Sequence, residues 1–523
     1  MSKQKKYLNL KRDWGKLKGE DFDFDLIEKF SKKKDNNAFF QVISDKTEKD
    51  IDFQELFMFL DRTNSKIGQQ YFYNKLRVID TQYNFADQEK LVSYFLDNEP
   101  QRVESQLLLS KLNNRDSYYI SSLFQEKYIE RPKWHWAIVA FSIINIILLI
   151  LVFFYSQIII ILIINFFISA FFHYWNKKNI YYYANSIPQL LPLLNAVRYC
   201  LNNHFDEVVH NSLKSLERLK GRISLFSSES KSDSSEIVAI VLTLLEYIKI
   251  FFLIEPILVF NALKKLKSKK SDIQNLFEFI GSIDTAISIA SLRTGLDYYC
   301  KPSTSKNSMK LDFENIYHPL IINCVPNSLK IEDKSILLTG SNMSGKTTFI
   351  RTVAINVLCA QTINTCFANQ FMLSQPTRLY STIRITDDLL NDKSYYFEEV
   401  LTIKQLINNS ESNHQNLFLL DEVFKGTNTL ERIAAGKAVL SYLSRGRNIV
   451  LVSTHDIELT ELLNEKYELY HFNETVHDNE IYFDYKIKKG ILTTRNAISI
   501  LELNGYPDEL INDAKNTARL LQS

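Results

Sequence analysis

The sequence predicts a C-terminal α/β domain with a largely parallel sheet, preceded by an all-α region that a two-helix transmembrane hairpin interrupts. Three observations carry this expectation. Residues 134–176 contain no Asp, Glu, Lys or Arg. The flanking stretches, 20–130 and 180–300, place apolar residues at three- and four-residue spacing, as in Phe53-Leu56-Phe57-Leu60, and the second is sparing with Pro and Gly. Beyond residue 300, short β-branched runs alternate with helical stretches, the pattern of a parallel sheet joined by crossover helices.

At 523 residues the chain has room for three or four domains, at roughly 150 residues each. The texture divides it into 1–130, 131–178, 179–300 and 301–523. Lys plus Arg total 62 and Asp plus Glu 60, a formal charge of +2. That balance excludes a polycationic tail protein and leaves only local basic stretches, at 3–18 and 264–270. A hydrophobic content of 46% supports a large core and excludes a disordered chain. The five cysteines are scattered and form no C-x-x-C. A disulfide framework or zinc ribbon is therefore not expected, and a reducing compartment fits.

In chain order, residues 1–20 carry seven Lys or Arg and no apolar core, so they do not read as a signal peptide. The uncharged run reads as two spans, 136–154 and 158–175, because a bilayer core of roughly 30 Å takes about 20 apolar residues per helix. Tyr155, Ser156 and Gln157 form the expected turn. Trp134, Trp136, Tyr174 and Trp175 fall where interfacial aromatics belong. Arg131 and Lys133 precede the pair, and Lys177 and Lys178 follow it. Both termini and the C-terminal domain are thus expected on the cytoplasmic side of the cell (inner or plasma) membrane, with the bilayer contacted through 136–175. Asn145 and Asn165 could hydrogen-bond across the pair. Further on, Ser227–Ser235 reads as a solvent loop and Lys264–Ser271 as a solvated helix end or, less simply, a phosphate-binding patch. Ser335–Thr339, Leu417–Leu420, Asn448–Ser453 and Ile481–Lys488 read as strands.

Three motifs carry chemistry. Gly340-Ser341-Asn342-Met343-Ser344-Gly345-Lys346-Thr347, followed by Thr348, matches G-x-x-x-x-G-K-[ST] between a strand and a helix. That context makes the domain a P-loop NTPase. Its glycines let backbone N–H groups wrap phosphate oxygens at a helix N-terminus. Lys346 is expected on the β- and γ-phosphates of ATP, and the Thr347 hydroxyl on Mg²⁺. Asp421-Glu422 ends an apolar strand; alone it would read as a solvated turn. Paired with the loop, Asp421 is placed for Mg²⁺ and Glu422 to orient or deprotonate the attacking water. His455, in Ser453-Thr454-His455-Asp456, follows another strand and could hydrogen-bond a γ-phosphate.

In order and spacing, GSNMSGKTTFIR, LFLLDEVFKGTNTLE and VSTHDIEL resemble the ATPase domain of the MutS family of DNA mismatch-repair proteins, an ABC-type ATPase. Asp387-Asp388-Leu389 with Ser394 to Glu399 resembles that family's signature segment, whose Ser reaches the partner's γ-phosphate across a dimer. The resemblance therefore makes Ser394 a site candidate and a homodimer the expected assembly. His318-Pro319-Leu320 and the tail from Tyr485 to Pro507 resemble the opening and close of the family's domain. More weakly, Leu60-Asp61-Arg62-Thr63, Gly68 and Leu76 resemble the start of its helical core, and Ile283 to Ala290 its return helix.

About 55 residues precede the core-like segment, so the family's mismatch-reading and connector domains are not expected, nor is a nuclease module after the ATPase. The hairpin also interrupts the region that forms DNA-clamping levers in the family. Two readings lead: a membrane-anchored MutS-like ATPase that binds DNA without mismatch selectivity, and a nucleotide-driven membrane switch acting on a protein or lipid partner. A transporter ranks third, because two spans per chain make a poor pathway and no L-S-G-G-Q occurs.

Overall fold

Ser335–Thr339 is buried at every position, as a strand covered on both faces must be. Asn448–Ser453 is too, and so is Gln415–Asp421 as far as Leu420. In the computed structural model these strands lie in one six-stranded sheet, in the order 480–489, 467–477, 335–339, 448–453, 415–421, 377–382. All neighbours are parallel except the antiparallel pair 480–489 and 467–477. The register sets Asp421 opposite Ser453, and Ser453 opposite Leu338. The phosphate-loop strand therefore ends level with the strands that carry Asp421 and Ser453. A second sheet, of four strands, contains 303–304, 370–373, 311–316 and 327–331.

The structure describes residues 3–127, 135–204, 206–223, 236–304, 311–341, 343–384, 395–477, 480–492, 498, 501–502 and 505–520. They form two units: one of 1–35, 60–74 and 86–295, the other of 36–59, 75–85 and 296–523. Where the sequence reading assigns 1–130 to one helical region, two of its segments fold with the C-terminal unit. The reason lies at the sheet edge. Strand 377–382 has one free side, and the Gln41 side-chain amide donates to Leu379 O (2.7 Å) and accepts from Leu379 N (2.8 Å), as a neighbouring strand would. Asp50 accepts from Ser381 Oγ and from the Ile383 and Arg384 backbone N–H groups at 2.7, 3.1 and 2.8 Å.

The other unit has helices and no strand among its described residues. Its central helix, Lys270–Thr294, is buried along most of its last four turns. There the two weaker sequence resemblances meet. Asp284 is fully buried and accepts from the Asn64 and Ser65 backbone N–H groups (2.8 Å each), from Asn64 Nδ2 (3.0 Å) and from Ser65 Oγ (2.6 Å). Burial pushes its pKa up despite these donors. Gly68 sits against the same carboxylate: a Cβ there would lie 2.2 Å from Asp284 Oδ2.

The apolar pair differs from expectation in length. The first helix, His135–Leu151, stops short of residue 154, and residues 152–157 connect it to the second. The second begins at Ile158 and runs to Asn203. Its Ile158–Trp175 portion is the one described stretch long and apolar enough to cross a membrane, with a mean hydropathy of 2.1; Trp136–Leu151 is shorter. The solvent loop expected at 227–235 lies outside the described residues. Lys264–Ser271 is a helix end, a short turn of helix at Lys267–Lys269, and the start of the central helix.

The contact at Gly68 gives a stability test. Gly68→Ala forces a methyl onto a buried hydrogen-bonded carboxylate, and overpacking of this kind costs about 1–3 kcal/mol. A thermal scan should show a clearly lower midpoint than wild type; an unchanged midpoint would mean that the two segments do not pack this closely.

Candidate active site

The loop between strand Ser335–Thr339 and helix Lys346–Thr362 depends on two glycines. Gly340 has φ +140° and Gly345 φ +103°, where a side chain is strained. At Gly340 a Cβ would also lie 2.8 Å from Phe472 O. Lys346 opens the helix, is buried, and donates from Nζ to Gly340 O and Ser341 O, each at 2.7 Å. Burial pulls its pKa down to about 8, against the pull of Asp421, Glu422 and Glu474. Thr348 is half-buried, with its carbonyl accepting from Thr352 Oγ1 at 2.7 Å. Met343 is exposed and Ser344 buried, donating to Ser341 O at 2.8 Å. Asn342 and Ser394 lie outside the described residues, as does the 385–394 part of the signature-like segment.

One carboxylate joins three motifs. Thr347 Oγ1 donates to Asp421 Oδ2 at 2.8 Å, and Ser453 Oγ donates to Asp421 Oδ1. A hydroxyl and a carboxylate side by side are the hard oxygen donors that Mg²⁺ takes, so Thr347 and Asp421 fit that ion. The loop glycines and Lys346 fit the phosphates of a nucleotide.

Glu422 leaves the strand with φ +55°, in the left-handed region that a glutamate adopts only under constraint. Its N–H donates to Ser453 O at 3.0 Å. Its Oε1 lies 2.9 Å from His455 Nε2 and its Oε2 3.3 Å from Lys425 Nζ. The His455 hydrogen bond, with Lys425 beside it, outweighs burial and holds the Glu422 carboxyl at about 2. His455 is thus brought to Glu422. Arg432 clamps the same turn, making two bonds to Asp456 at 2.9 and 2.7 Å.

Three further residues belong to the site but went unassigned in the sequence. Glu399 accepts from Phe424 N and, at 3.3 Å, from Lys425 N, so it fixes the loop after Glu422; burial raises its pKa. Buried Glu474 accepts from Ser341 Oγ at 2.8 Å. Tyr485 sets its ring beside Gly345, where a Cβ would meet it at 3.2 Å, and leaves the ring partly exposed. Glu474 and Tyr485 come from strands 467–477 and 480–489, and only strand pairing brings them to the loop. The one available signal was the Glu398-Glu399 pair within the signature-like segment.

The state of Lys346 gives a pH test. A polyanion favours the charged ammonium, so binding leaves the group protonated over a wider pH range. Above pH 8 the free protein carries a neutral Lys346, and nucleotide binding must take up a proton. Titration calorimetry at pH 8.5 in buffers of different ionisation enthalpy should detect that uptake, and it should vanish at pH 6.5. Equal enthalpies in both buffers at pH 8.5 would contradict the burial of this ammonium.

Residues 336–522 match the family model described as MutS domain V. Similar curated proteins include DNA mismatch repair protein MutS of Pseudothermotoga lettingae, 34% identical over 263 residues, 48% of this chain and 31% of the relative. The protein of that name from Clostridium perfringens is 29% identical over 47% of this chain and 28% of its own length. That from Staphylococcus haemolyticus is 30% identical over 48% and 29%. The match thus spans about three-tenths of the length of these relatives.

Proposed function

We propose that this chain, which belongs to the MutS family through its domain V, is a membrane-anchored ATPase that dimerises around ATP and acts on DNA. The observation that carries the nucleotide part is the meeting of Thr347, Asp421 and Ser453 beside Lys346. In this reading Lys346 exchanges its two loop carbonyls for β- and γ-phosphate oxygens. Thr347 and Asp421 hold Mg²⁺, which supplies charge neutralisation on the phosphates. Glu422 accepts a hydrogen bond from the attacking water and aligns it. A carboxylate at about 2 is a weak proton acceptor, so its part is orientation, with His455 and Lys425 keeping it in place. Ser394 completes the partner's site in trans, as the family resemblance implies.

Support for DNA as the substrate comes from the relatives, which are named for DNA mismatch repair. Support for the membrane comes from the exposed apolar residues of the two helices, among them Ile147, Ile150, Ile160, Phe167 and Phe171. Those same helices favour a second reading, a nucleotide-driven membrane switch acting on a protein or lipid partner. Crosslinking the membrane-embedded protein in cells and recovering bound nucleic acid separates the two: recovered DNA supports the first, and its absence the second.

The ATPase reading is tested in detergent-purified protein. Lys346→Ala should lower turnover by about 100-fold or more, because the contact strengthens as charge shifts in the transition state. Mixing that protein with a Ser394→Ala protein should restore part of the activity, since each mixed dimer holds one complete site. Wild-type turnover in Lys346→Ala would refute the site, and a mixture no better than its components would refute sharing across a dimer.

A further inference from the structure

Helix Glu236–Phe251 and helix Ile254–Leu266 are separated by a break at Phe252–Leu253, where Leu253 takes φ +50°. Such a break frees the last carbonyls of the first helix. Here side chains of the apolar pair take them. Asn145 Nδ2 donates to Phe251 O at 2.8 Å, Ser169 Oγ to the same oxygen at 3.0 Å, and Ser142 Oγ to Phe252 O at 2.8 Å. Asn145 and Ser169 are fully buried, and Asn165 Nδ2 donates to Asn145 Oδ1 at 3.1 Å. Asn145 and Asn165 thus bond across the pair, as the sequence suggested, and Asn145, with Ser142 and Ser169, also reaches a turn of another element.

The position of that turn follows from helix geometry. Asn145 lies about 14 Å along its helix from Trp136, and Ser169 about 9 Å from Trp175, at ~1.5 Å per residue. With those tryptophans at the membrane interface, Phe251 O sits well inside a hydrocarbon core of roughly 30 Å. At that depth water cannot satisfy a free carbonyl, and a helix break is tolerated only where protein groups do so. Around it the surface is apolar: Phe251 lines an open groove of about 430 Å³ with Leu149, Leu162 and Phe166. Leu244, Leu245, Tyr247 and Ile248 point outward from the same helix.

We propose that residues 236–266 form a third membrane element, a helical hairpin that enters and leaves on the side of Trp136 and Trp175 and turns at Phe252–Leu253 within the bilayer. Lys249, two residues before Phe251, is half-buried, as an ionisable group this close to the turn has to be. Lys264, Lys265 and Lys267 come about 17–21 Å after the turn, at ~1.5 Å per residue, which returns them to the level of the lipid phosphates.

This proposal rests on the membrane reading of 136–175, and the test separates the two. Nitroxides are placed one at a time at Ile248→Cys, Tyr247→Cys, Ile160→Cys and Ser268→Cys in the full chain. Cys300 and Cys324 are replaced by Ser, and the protein is reconstituted in phosphatidylglycerol–phosphatidylethanolamine vesicles. Ile248 and Tyr247 are 47% and 53% exposed, so this chain does not itself shield them. At both positions collision with oxygen should exceed collision with a water-soluble nickel chelate several-fold more than at Ser268, as it should at Ile160. Lipid-like behaviour at Ile160 with water-like behaviour at both Ile248 and Tyr247 would overturn the third element alone. Water-like behaviour at Ile160 would overturn the membrane reading and this proposal with it.

Discussion

The geometry of the candidate site depends on one carboxylate having a proton donor on each side. Asp421 accepts from Thr347 on the phosphate-loop helix and from Ser453 on the neighbouring strand. The parallel register makes this possible, because it sets Asp421 directly across from Ser453 and Ser453 across from Leu338, just before the loop. A shift of one residue would turn Asp421 to the other face of the sheet and remove both bonds. The burial of strands 335–339, 415–421 and 448–453 on both faces is therefore what holds the site together.

From that fixed point the surrounding charges follow. Glu422 comes next in the chain, and its left-handed backbone aims the side chain at His455 instead of along the strand. Glu399 holds the next backbone turn from a different helix, and Arg432 holds the His455 turn through Asp456. The strain at Glu422 is thus supported from two sides, as a strained residue at a reactive position must be. Lys346 is the reverse case. Its ammonium is kept buried with only carbonyl partners, a state that a phosphate would relieve.

The parts of the site legible in the sequence were those whose chemistry demands fixed residue types at fixed spacing along the chain. The phosphate loop, Asp421-Glu422 and His455 are of this kind, and the structure gathers all three around one edge of the sheet. Glu474 and Tyr485 were not legible as site residues because they reach the loop through pairing of strands distant in sequence. Strand 467–477, reading YELYHFNETVH, mixes charged and aromatic residues and gives no clear periodicity. The placement of 36–59 with the C-terminal unit was likewise hidden, since it rests on Gln41 and Asp50 side chains imitating backbone partners. The apolar run was plain, but the end of its first helix at Leu151 was not. Nothing in an unbroken apolar sequence marks where hydrogen bonding stops.

In the proposed function Asp421 links the phosphate loop to the strand edge and would hold Mg²⁺ there. This role is tested most directly by measuring ATP affinity and turnover of Asp421→Asn across a Mg²⁺ titration. Asparagine keeps the size and can still accept from Thr347, but it lacks the charge that a hard dication requires. ATP should still bind, the Mg²⁺ dependence of binding should be lost, and turnover should fall by about 100-fold or more. Turnover and Mg²⁺ dependence equal to wild type would contradict this role.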